Sequence, residues 1–407
     1  MGARPDRRRD RHAGRDPVGA RLRERDRVRR LLGRARLSTL AVALLTLGDP
    51  ATMTGGYLYH RRVADRAAAN DARLEFVSVP ERSFPASVAA GRGLLADLAA
   101  RRPDAILLDS IAAAYLGPWL RRTGSAAGGR WRWRARGLPP IVGMLHQPPG
   151  GIDHSGVRRQ IQAVLDRRAY RFASKLLIAS EDLADTLRTS GFPADLLTVV
   201  APGRDPADDA VAPGGDLRQG RRTAVLSVGN WVERKGLLDL LEAVAALPAD
   251  AATLHLVGDP DLDPEYAARV RRRIDRDDLA GRVRVHGLVT PAEVVGFYRA
   301  ADVFALASVR EPYGTVYGEA MTEGLPVVGW DAGNLPHLAR HGREGFAVPP
   351  GDVAALTAAL RTLADDDERR RTMAAAAKAR SDSFPNWDDT ARVLFTEIRA
   401  VVEETRT

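Results

Sequence analysis

Two glutamates eight positions apart, Glu311 and Glu319, stand in the segment Ser308-Val309-Arg310-Glu311-Pro312-Tyr313-Gly314-Thr315-Val316-Tyr317-Gly318-Glu319. Glu311 falls in a loop after an apolar strand, and Glu319 in the first turns of the next helix, which Thr315 can cap. Both carboxylates can therefore face one cleft. Two acceptors suit a ligand rich in hydroxyls, and the free N–H groups around Gly314 and Thr315 suit an anion. A bare pair of glutamates at this spacing is nearly expected by chance; the strand, Pro-aromatic-Gly turn and helix around it are not.

A second loop, Ser227-Val228-Gly229-Asn230-Trp231-Val232-Glu233-Arg234-Lys235-Gly236, ends a strand in glycine and brings Arg234 and Lys235 to the opening of a helix. Two cations there oppose the helix dipole, so they need an anion between them or room to turn outward. The chain has three lysines, Lys175, Lys235 and Lys378, against 58 arginines. A lysine kept here supplies a compact charge of the kind that binds phosphate. A surface cation with no ligand is the alternative. Gly55-Gly56, ahead of a helix starting at Tyr57, lets backbone approach an anion, although a tight turn explains two glycines as well. His146, in Met144-Leu145-His146-Gln147-Pro148-Pro149, sits at a strand's carboxyl end, where an imidazole can bond a sugar or an acceptor; a structural histidine is the other reading.

The elements that must position these residues follow from periodicity. Short apolar runs at 37–47, 73–79, 104–109, 140–146, 174–179 and 196–201 alternate with stretches of helical spacing such as 57–69 and 88–99. After a Pro- and Gly-rich stretch, the alternation restarts with runs near 223–229, 253–258, 282–287, 302–307, 326–330 and 345–349. Each series predicts an α/β doubly wound parallel sheet, which binds ligands where strand carboxyl ends meet helix N-termini. The expected organisation is a basic, disordered tail at 1–36, a first α/β domain at 37–203, a linker at 204–221, a second α/β domain at 222–384, and a terminal helix at 385–407 packing back across the domains.

The 407 residues allow two or three domains, and 45% hydrophobic with 28% charged residues is the composition of a folded globular protein. The lack of cysteine excludes disulfides and zinc-thiolate sites. A net charge of +9 suggests a nucleic-acid partner until it is located: residues 1–36 hold 14 arginines against 5 acidic residues, and the remainder balances at 47 of each sign. No nucleic acid is expected to bind the body of the protein. The tail suits an anionic lipid surface or is a solvated extension without a role, and translation could also start downstream of Met1, since no second Met occurs before Met53.

The apolar stretch at 37–48 is well short of the roughly 20 residues that span a bilayer and lacks a cleavage site, so a cytoplasmic protein is expected. Arg and Trp alternate across 130–134, where Trp131 and Trp133 either lie at a lipid headgroup surface, placing the protein at the inner membrane face, or pack back onto the domain. Asp259-Pro260-Asp261-Leu262-Asp263 opens like a calcium loop, but Pro264 and Val270 stand where that loop needs Gly and Glu. It reads as a polar loop with a helix cap, and no metal is expected.

With its motifs in this order, the sequence resembles glycosyltransferase family 4, retaining enzymes of the GT-B fold, in which two Rossmann-like domains face a central cleft. The likeness is densest over 225–352. It rests on Glu311 with Glu319, Gly229 with Lys235-Gly236, Gly258, His286-Gly287, Ala332-Gly333-Asn334-Leu335-Pro336, Gly345 and Pro350-Gly351-Asp352; Gly55-Gly56, His146 and Pro202-Gly203-Arg204-Asp205 extend it less specifically. The resemblance implies a hexosyl unit moved from a UDP- or GDP-linked sugar to an acceptor hydroxyl, with no obligatory cofactor and no metal. It implies that Glu319 receives the ribose, Lys235 the diphosphate, backbone from His286 to Leu288 the base, and Glu311 the donor sugar. Amides of Gly314, Thr315 and Val316 would touch sugar and phosphate, and the first domain would supply Gly55-Gly56, His146 and the acceptor pocket. The acceptor is a glycan, a glycolipid or a small molecule. Family members commonly carry Arg directly after the glycine of the lysine loop. Asn230 stands there in this chain, so either Arg234 supplies the charge or Asn230 acts as a neutral donor. Two other function classes stay open: a GT-B epimerase or phosphorylase, and a catalytically silent nucleotide-sugar-binding protein.

Overall fold

The computed structural model describes residues 39–49, 55–80, 82–121, 135–152, 156–205 and 214–406. The tail at 1–36, the Trp131 and Trp133 segment and residues 206–213 of the linker lie outside the described residues. The first series of apolar runs forms β1 (Leu40–Leu47), β2 (Ala72–Val79), β3 (Ala105–Asp109), β4 (Ile141–Leu145), β5 (Ala173–Ile178) and β6 (Leu197–Val199), in the order β2-β1-β3-β4-β5-β6. Between them run α1 (Gly55–Ala64), α2 (Phe84–Arg101), α3 (Ala113–Leu116), α4 (Gly156–Tyr170) and α5 (Glu181–Thr189). β1, β3, β4, β5 and β6 pair in parallel, with Val42 opposite Ala105 and Ile106 opposite Ile141. β3 and β4 are buried at every position, as continuous apolar runs in a sheet covered on both faces must be. Ile106, Leu108, Leu145 and Ile178 pack with Leu98, Leu116 and Leu183 from the helices, and each such side chain contributes roughly 1.5–3 kcal/mol by leaving water.

The second series forms β7 (Thr223–Val228), β8 (Ala252–Val257), β9 (Val283–Gly287), β10 (Val303–Leu306), β11 (Val327–Trp330) and β12 (Gly345–Val348), ordered β12-β11-β10-β7-β8-β9 with parallel pairing. Its helices are α6 (Leu237–Ala245), α7 (Pro264–Ile274), α8 (Pro291–Ala300), α9 (Thr315–Thr322), α10 (Leu335–Leu338), α11 (Val353–Asp365), α12 (Asp367–Ser381) and α13 (Trp387–Arg406). Separate hydrophobic cores cover its two faces, one with α6, α7 and α11, the other with α8 and α9. The molecule is thus α/β with two doubly wound sheets, as the alternation predicts. The helical spacing at 57–69 resolves into α1 and a short 3-10 turn, Ala68–Asn70, because Asp71 turns left-handed (φ 51°) into β2.

Strand order reverses between β1 and β3 in the first sheet and between β7 and β10 in the second, and a crevice opens at each reversal, at the strand carboxyl ends. The last helix, α13, leaves the second sheet and packs on the first. Trp387 meets Tyr59 edge-on at 5.6 Å, Thr390 donates to the Ala201 carbonyl at 2.9 Å, and Arg66 bonds Asp388 at 2.6 Å. Among the described residues no helix is long and apolar enough to cross a membrane.

Candidate active site

In the crevice of the second sheet, the loop after β7 ends in a 3-10 turn, Glu233–Lys235, closed by Gly236 at φ +65°. A Cβ on Gly236 would lie 2.0 Å from the Ala307 carbonyl oxygen, so only glycine lets this turn seat beneath the loop after β10. That seating drives Lys235 toward Glu311, and its Nζ donates to Oε2 at 2.5 Å. Both residues are buried, at 8% and 7% exposure. Arg234 donates to the Arg310 carbonyl at 3.2 Å and stands 3.9 Å from the same Glu311 oxygen. Two cations thus converge on one carboxylate and leave a surplus positive charge, a setting that favours a further anion.

The loop carrying Glu311 is pinned by Asn334, whose backbone N–H donates to the Glu311 carbonyl at 3.1 Å and whose amide donates to the Tyr313 carbonyl at 2.9 Å. Helix α9 then opens with Gly314 at its N-cap in the left-handed conformation (φ 70°). Thr315, expected as the cap, is instead the first helical residue, because the sharp turn out of the loop needs glycine at the preceding position. The N–H groups of Thr315 and Val316 belong to the first turn, where no intrahelical partner exists. Glu319, just over one turn on, faces solvent and accepts from the Tyr298 hydroxyl at 3.0 Å.

The other expected residues lie at neighbouring strand ends. Asn230 is exposed, and its side-chain oxygen accepts from the Asp259 N–H at 3.2 Å, tying the end of β7 to that of β8. The His286 ring stacks on His255, with 3.0 Å between their nitrogens, and packs against Phe297. Its ring is committed to packing, whereas Leu288 beyond it is exposed. Neither the Asn230 nor the His286 side chain is bonded to the Lys235–Glu311 group among the described residues. Asp263 caps α7 through the Tyr266 N–H at 3.0 Å.

The first sheet's crevice reaches the same place. Gly55 and Gly56 open α1, and a Cβ on Gly56 would sit 3.7 Å from His146 Cδ2 and 4.0 Å from the Tyr313 hydroxyl. The His146 and Tyr313 rings are 5.3 Å apart, and Arg310 donates to the Ile152 carbonyl at 3.3 Å, so the Glu311 loop touches the His146 loop. Behind His146 lie two residues that sequence reasoning missed, His60 on α1 and Asp109 at the end of β3. His60 Nε2 is 2.9 Å from Asp109 Oδ2 and 3.2 Å from His146 Nε2.

All three are buried, at 1%, 2% and 6% exposure for His60, Asp109 and His146. Burial would raise the Asp109 carboxyl, but His60, His146 and the Thr46 hydroxyl at 2.9 Å hold it below the usual range. Burial and then the His60 charge push His146 down to about 3, so it is neutral. The ligand atoms of the trio lie within 4.8 Å of one another, close enough to hold a divalent cation or to share hydrogens. Asp109 was signalled by being the one polar residue closing the run Ala-Ile-Leu-Leu-Asp; His60 carried no signal beyond its place among the buried Tyr59 and Val63. Asp166 on α4 braces the His146 loop by accepting from the Gly150 N–H at 2.8 Å. Burial raises its carboxyl to about 7, against the opposing backbone N–H groups of Gly150 and Ala114.

Residues 25–203 match the family model described as a glycosyl transferase 4-like domain, and residues 216–380 the model described as glycosyl transferases group 1. Between them they cover most of the chain. The D-inositol 3-phosphate glycosyltransferase of Corynebacterium glutamicum (strain R) is 31% identical over 228 residues, 53% of this chain and 54% of that protein. The glycogen synthase of Mycobacterium tuberculosis is 30% identical over 266 residues, 62% of this chain and 61% of that protein. The chain spans about half to three fifths of the length of the curated relatives it matches, from 47% to 61%. Among solved structures, Anabaena Alr3699/HepE in complex with UDP and glucose superposes with a TM-score of 0.69 at 22% identity, covering 88% of this chain and 99% of that one. Sucrose-phosphate synthase (tll1590) from Thermosynechococcus elongatus superposes with a TM-score of 0.73 at 20% identity, covering 90% and 100%. At these identities the likeness is one of fold, and the fold is GT-B.

Proposed function

Because the chain belongs to glycosyltransferase family 4, we propose that it moves a hexosyl unit from a UDP- or GDP-linked sugar to an acceptor hydroxyl, with retention at the anomeric carbon and without a metal. The observation that carries this reading is the convergence of Lys235 and Arg234 on the carboxylate of Glu311, three residues ahead of the Gly314 N-cap of α9. A pyrophosphate entering there meets two cations and the free N–H groups of Thr315 and Val316. Lys235 exchanges its bond with Glu311 for a phosphate oxygen, and Glu311 is released to accept from the donor sugar's hydroxyls. Glu319 accepts from the ribose, and backbone near His286 and Leu288 borders the base.

As the bond from anomeric carbon to phosphate oxygen breaks, its electron pair stays on the diphosphate, where Lys235, Arg234 and the helix end stabilise the growing charge. The acceptor oxygen bonds to the anomeric carbon on the face the diphosphate leaves, and its proton passes to a departing phosphate oxygen. No side-chain nucleophile is needed. His146, neutral and facing the cleft beside Gly56 and Tyr313, bonds a sugar oxygen. The acceptor enters from the first domain and is a glycan, a glycolipid or a small molecule.

The test is incubation of purified protein with UDP-, GDP- and ADP-sugars, with mass spectrometry following nucleotide release and NMR following the anomeric configuration of product. Slow hydrolysis of one donor, undiminished by EDTA, is expected. A protein that neither binds nor consumes any of them contradicts the proposal.

A further inference from the structure

The contact between His60 and its two partners has a hydrogen count that settles more than its distances do. Both contacts run through one nitrogen: His60 Nε2 is 2.9 Å from Asp109 Oδ2 and 3.2 Å from His146 Nε2. A ring nitrogen has a single in-plane position, filled by a hydrogen or by a lone pair. Asp109 is a buried carboxylate that already accepts from Thr46 Oγ1 through the same Oδ2 and from the Ile111 N–H through Oδ1. An acceptor-only group at 2.9 Å requires the hydrogen to be on His60 Nε2, and this holds whether that imidazole is neutral or charged. That one hydrogen is shared between Asp109 Oδ2 and His146 Nε2, so His146 must present its lone pair there, because a hydrogen on its Nε2 would meet a nitrogen with no lone pair left to accept it. A neutral imidazole with its lone pair at Nε2 carries its hydrogen at Nδ1. Nδ1 of His146 is buried and has no hydrogen-bond partner among the described residues. The hydroxyl of Tyr313, from the facing domain, is in the same position.

From this geometry we propose that Asp109 and His60 are positioning residues that lock His146 in the Nδ1–H form, so that it enters the reaction as a hydrogen-bond donor to an oxygen of the bound sugars. The imidazole could otherwise populate either form, and with the hydrogen at Nε2 it would meet a sugar hydroxyl only as an acceptor. The Asp109 charge, relayed through His60, sets the choice. The backbone around His146 is held by contacts that do not run through His60, its N–H bonded to Ser110 Oγ at 3.2 Å and its loop braced by Asp166. His60 therefore governs the ring's hydrogen rather than its location. The kinetic part of this inference rests on the transferase reading; the tautomer does not.

The experiment is long-range proton–nitrogen correlation NMR on histidine-labelled protein, with His146 assigned by its loss in H146Q. The result expected is a His146 ring with its hydrogen on Nδ1. His60→Gln, whose amide keeps an N–H at the reach of Nε2, retains that form and a turnover within about threefold of the parent. His60→Leu, lacking any donor, shows exchange between the two forms and a kcat lower by about tenfold at unchanged donor KM. A His146 hydrogen on Nε2 in the parent protein overturns the proposal, as does an unaltered ring in H60L. One equivalent of bound metal, with both Nε2 atoms ligated, also overturns it. Should H60L not fold, the parent and H60Q spectra still decide. If no sugar nucleotide is turned over while the Nδ1–H form is found, the transferase reading fails and the tautomer assignment stands.

Discussion

Each sheet ends in a carboxylate paired with a nitrogen donor that follows the strand beside it, and the two pairs are built to opposite ends. In the first sheet Asp109, the last residue of β3, meets His60 on the helix after β1; in the second, Glu311, after β10, meets Lys235 in the loop after β7. Both sit at a reversal of strand order. Asp109 is satisfied from several sides by Thr46, Ser110 and Ile111, so its charge is consumed inside the protein and what reaches the cleft is a neutral imidazole. Around Glu311 two cations share one carboxylate, so positive charge is left over. The same topological position thus yields a fixed dipole for hydroxyls in one domain and an exchangeable ion pair for phosphate in the other.

Breaking the exchangeable pair has the largest expected effect. Lys235→Ala lowers kcat/KM for the sugar nucleotide by at least about a hundredfold, and it destabilises the fold by about 3 kcal/mol by leaving Glu311 buried with only Arg234 nearby. Lys235→Met combined with Glu311→Gln separates the two effects. Thermal melting recovers while turnover stays lost, and a double variant that regains turnover would refute the phosphate role. Next is Glu319→Gln, which weakens nucleotide binding by about tenfold in calorimetry; undiminished affinity removes Glu319 from the ribose.

A third change sharpens the other side of the comparison through pH. Asp166 has its carboxyl raised from 3.8 to about 7 by burial, so between those values the folded protein holds a proton that the unfolded chain has released. Its contribution to stability is complete below about pH 4 and is lost as pH rises through 7, at up to about 1.4 kcal/mol per pH unit. Melting temperatures of Asp166→Asn should lack that decline. The smallest effect is expected of Arg234→Ala. At 30% side-chain exposure its charge is screened by solvent, and a loss of about threefold that shrinks at high salt is predicted from binding titrations.

What was legible in the sequence follows the range of the interactions. Strand runs read by periodicity lie within about two residues of the observed strands from β2 onward, since buried parallel strands announce themselves as uninterrupted apolar runs. Glu311 and Lys235 could be singled out because each stands in a local strand-loop-helix context that needs glycine at Gly236 and Gly314. His60 and Asp109 could not be joined, since 49 residues separate them and only the order of β1 beside β3 brings them together. Thr315 misled because a threonine before a helix reads as a cap, whereas the turn's geometry demanded the glycine before it.

A crystal structure with UDP or GDP bound tests the account most directly. It should show the pyrophosphate within hydrogen-bond distance of Lys235 Nζ and the N–H groups of Thr315 and Val316, with the Lys235–Glu311 contact opened. A nucleotide seated away from these groups, or bound with Lys235 still held by Glu311, would contradict the account.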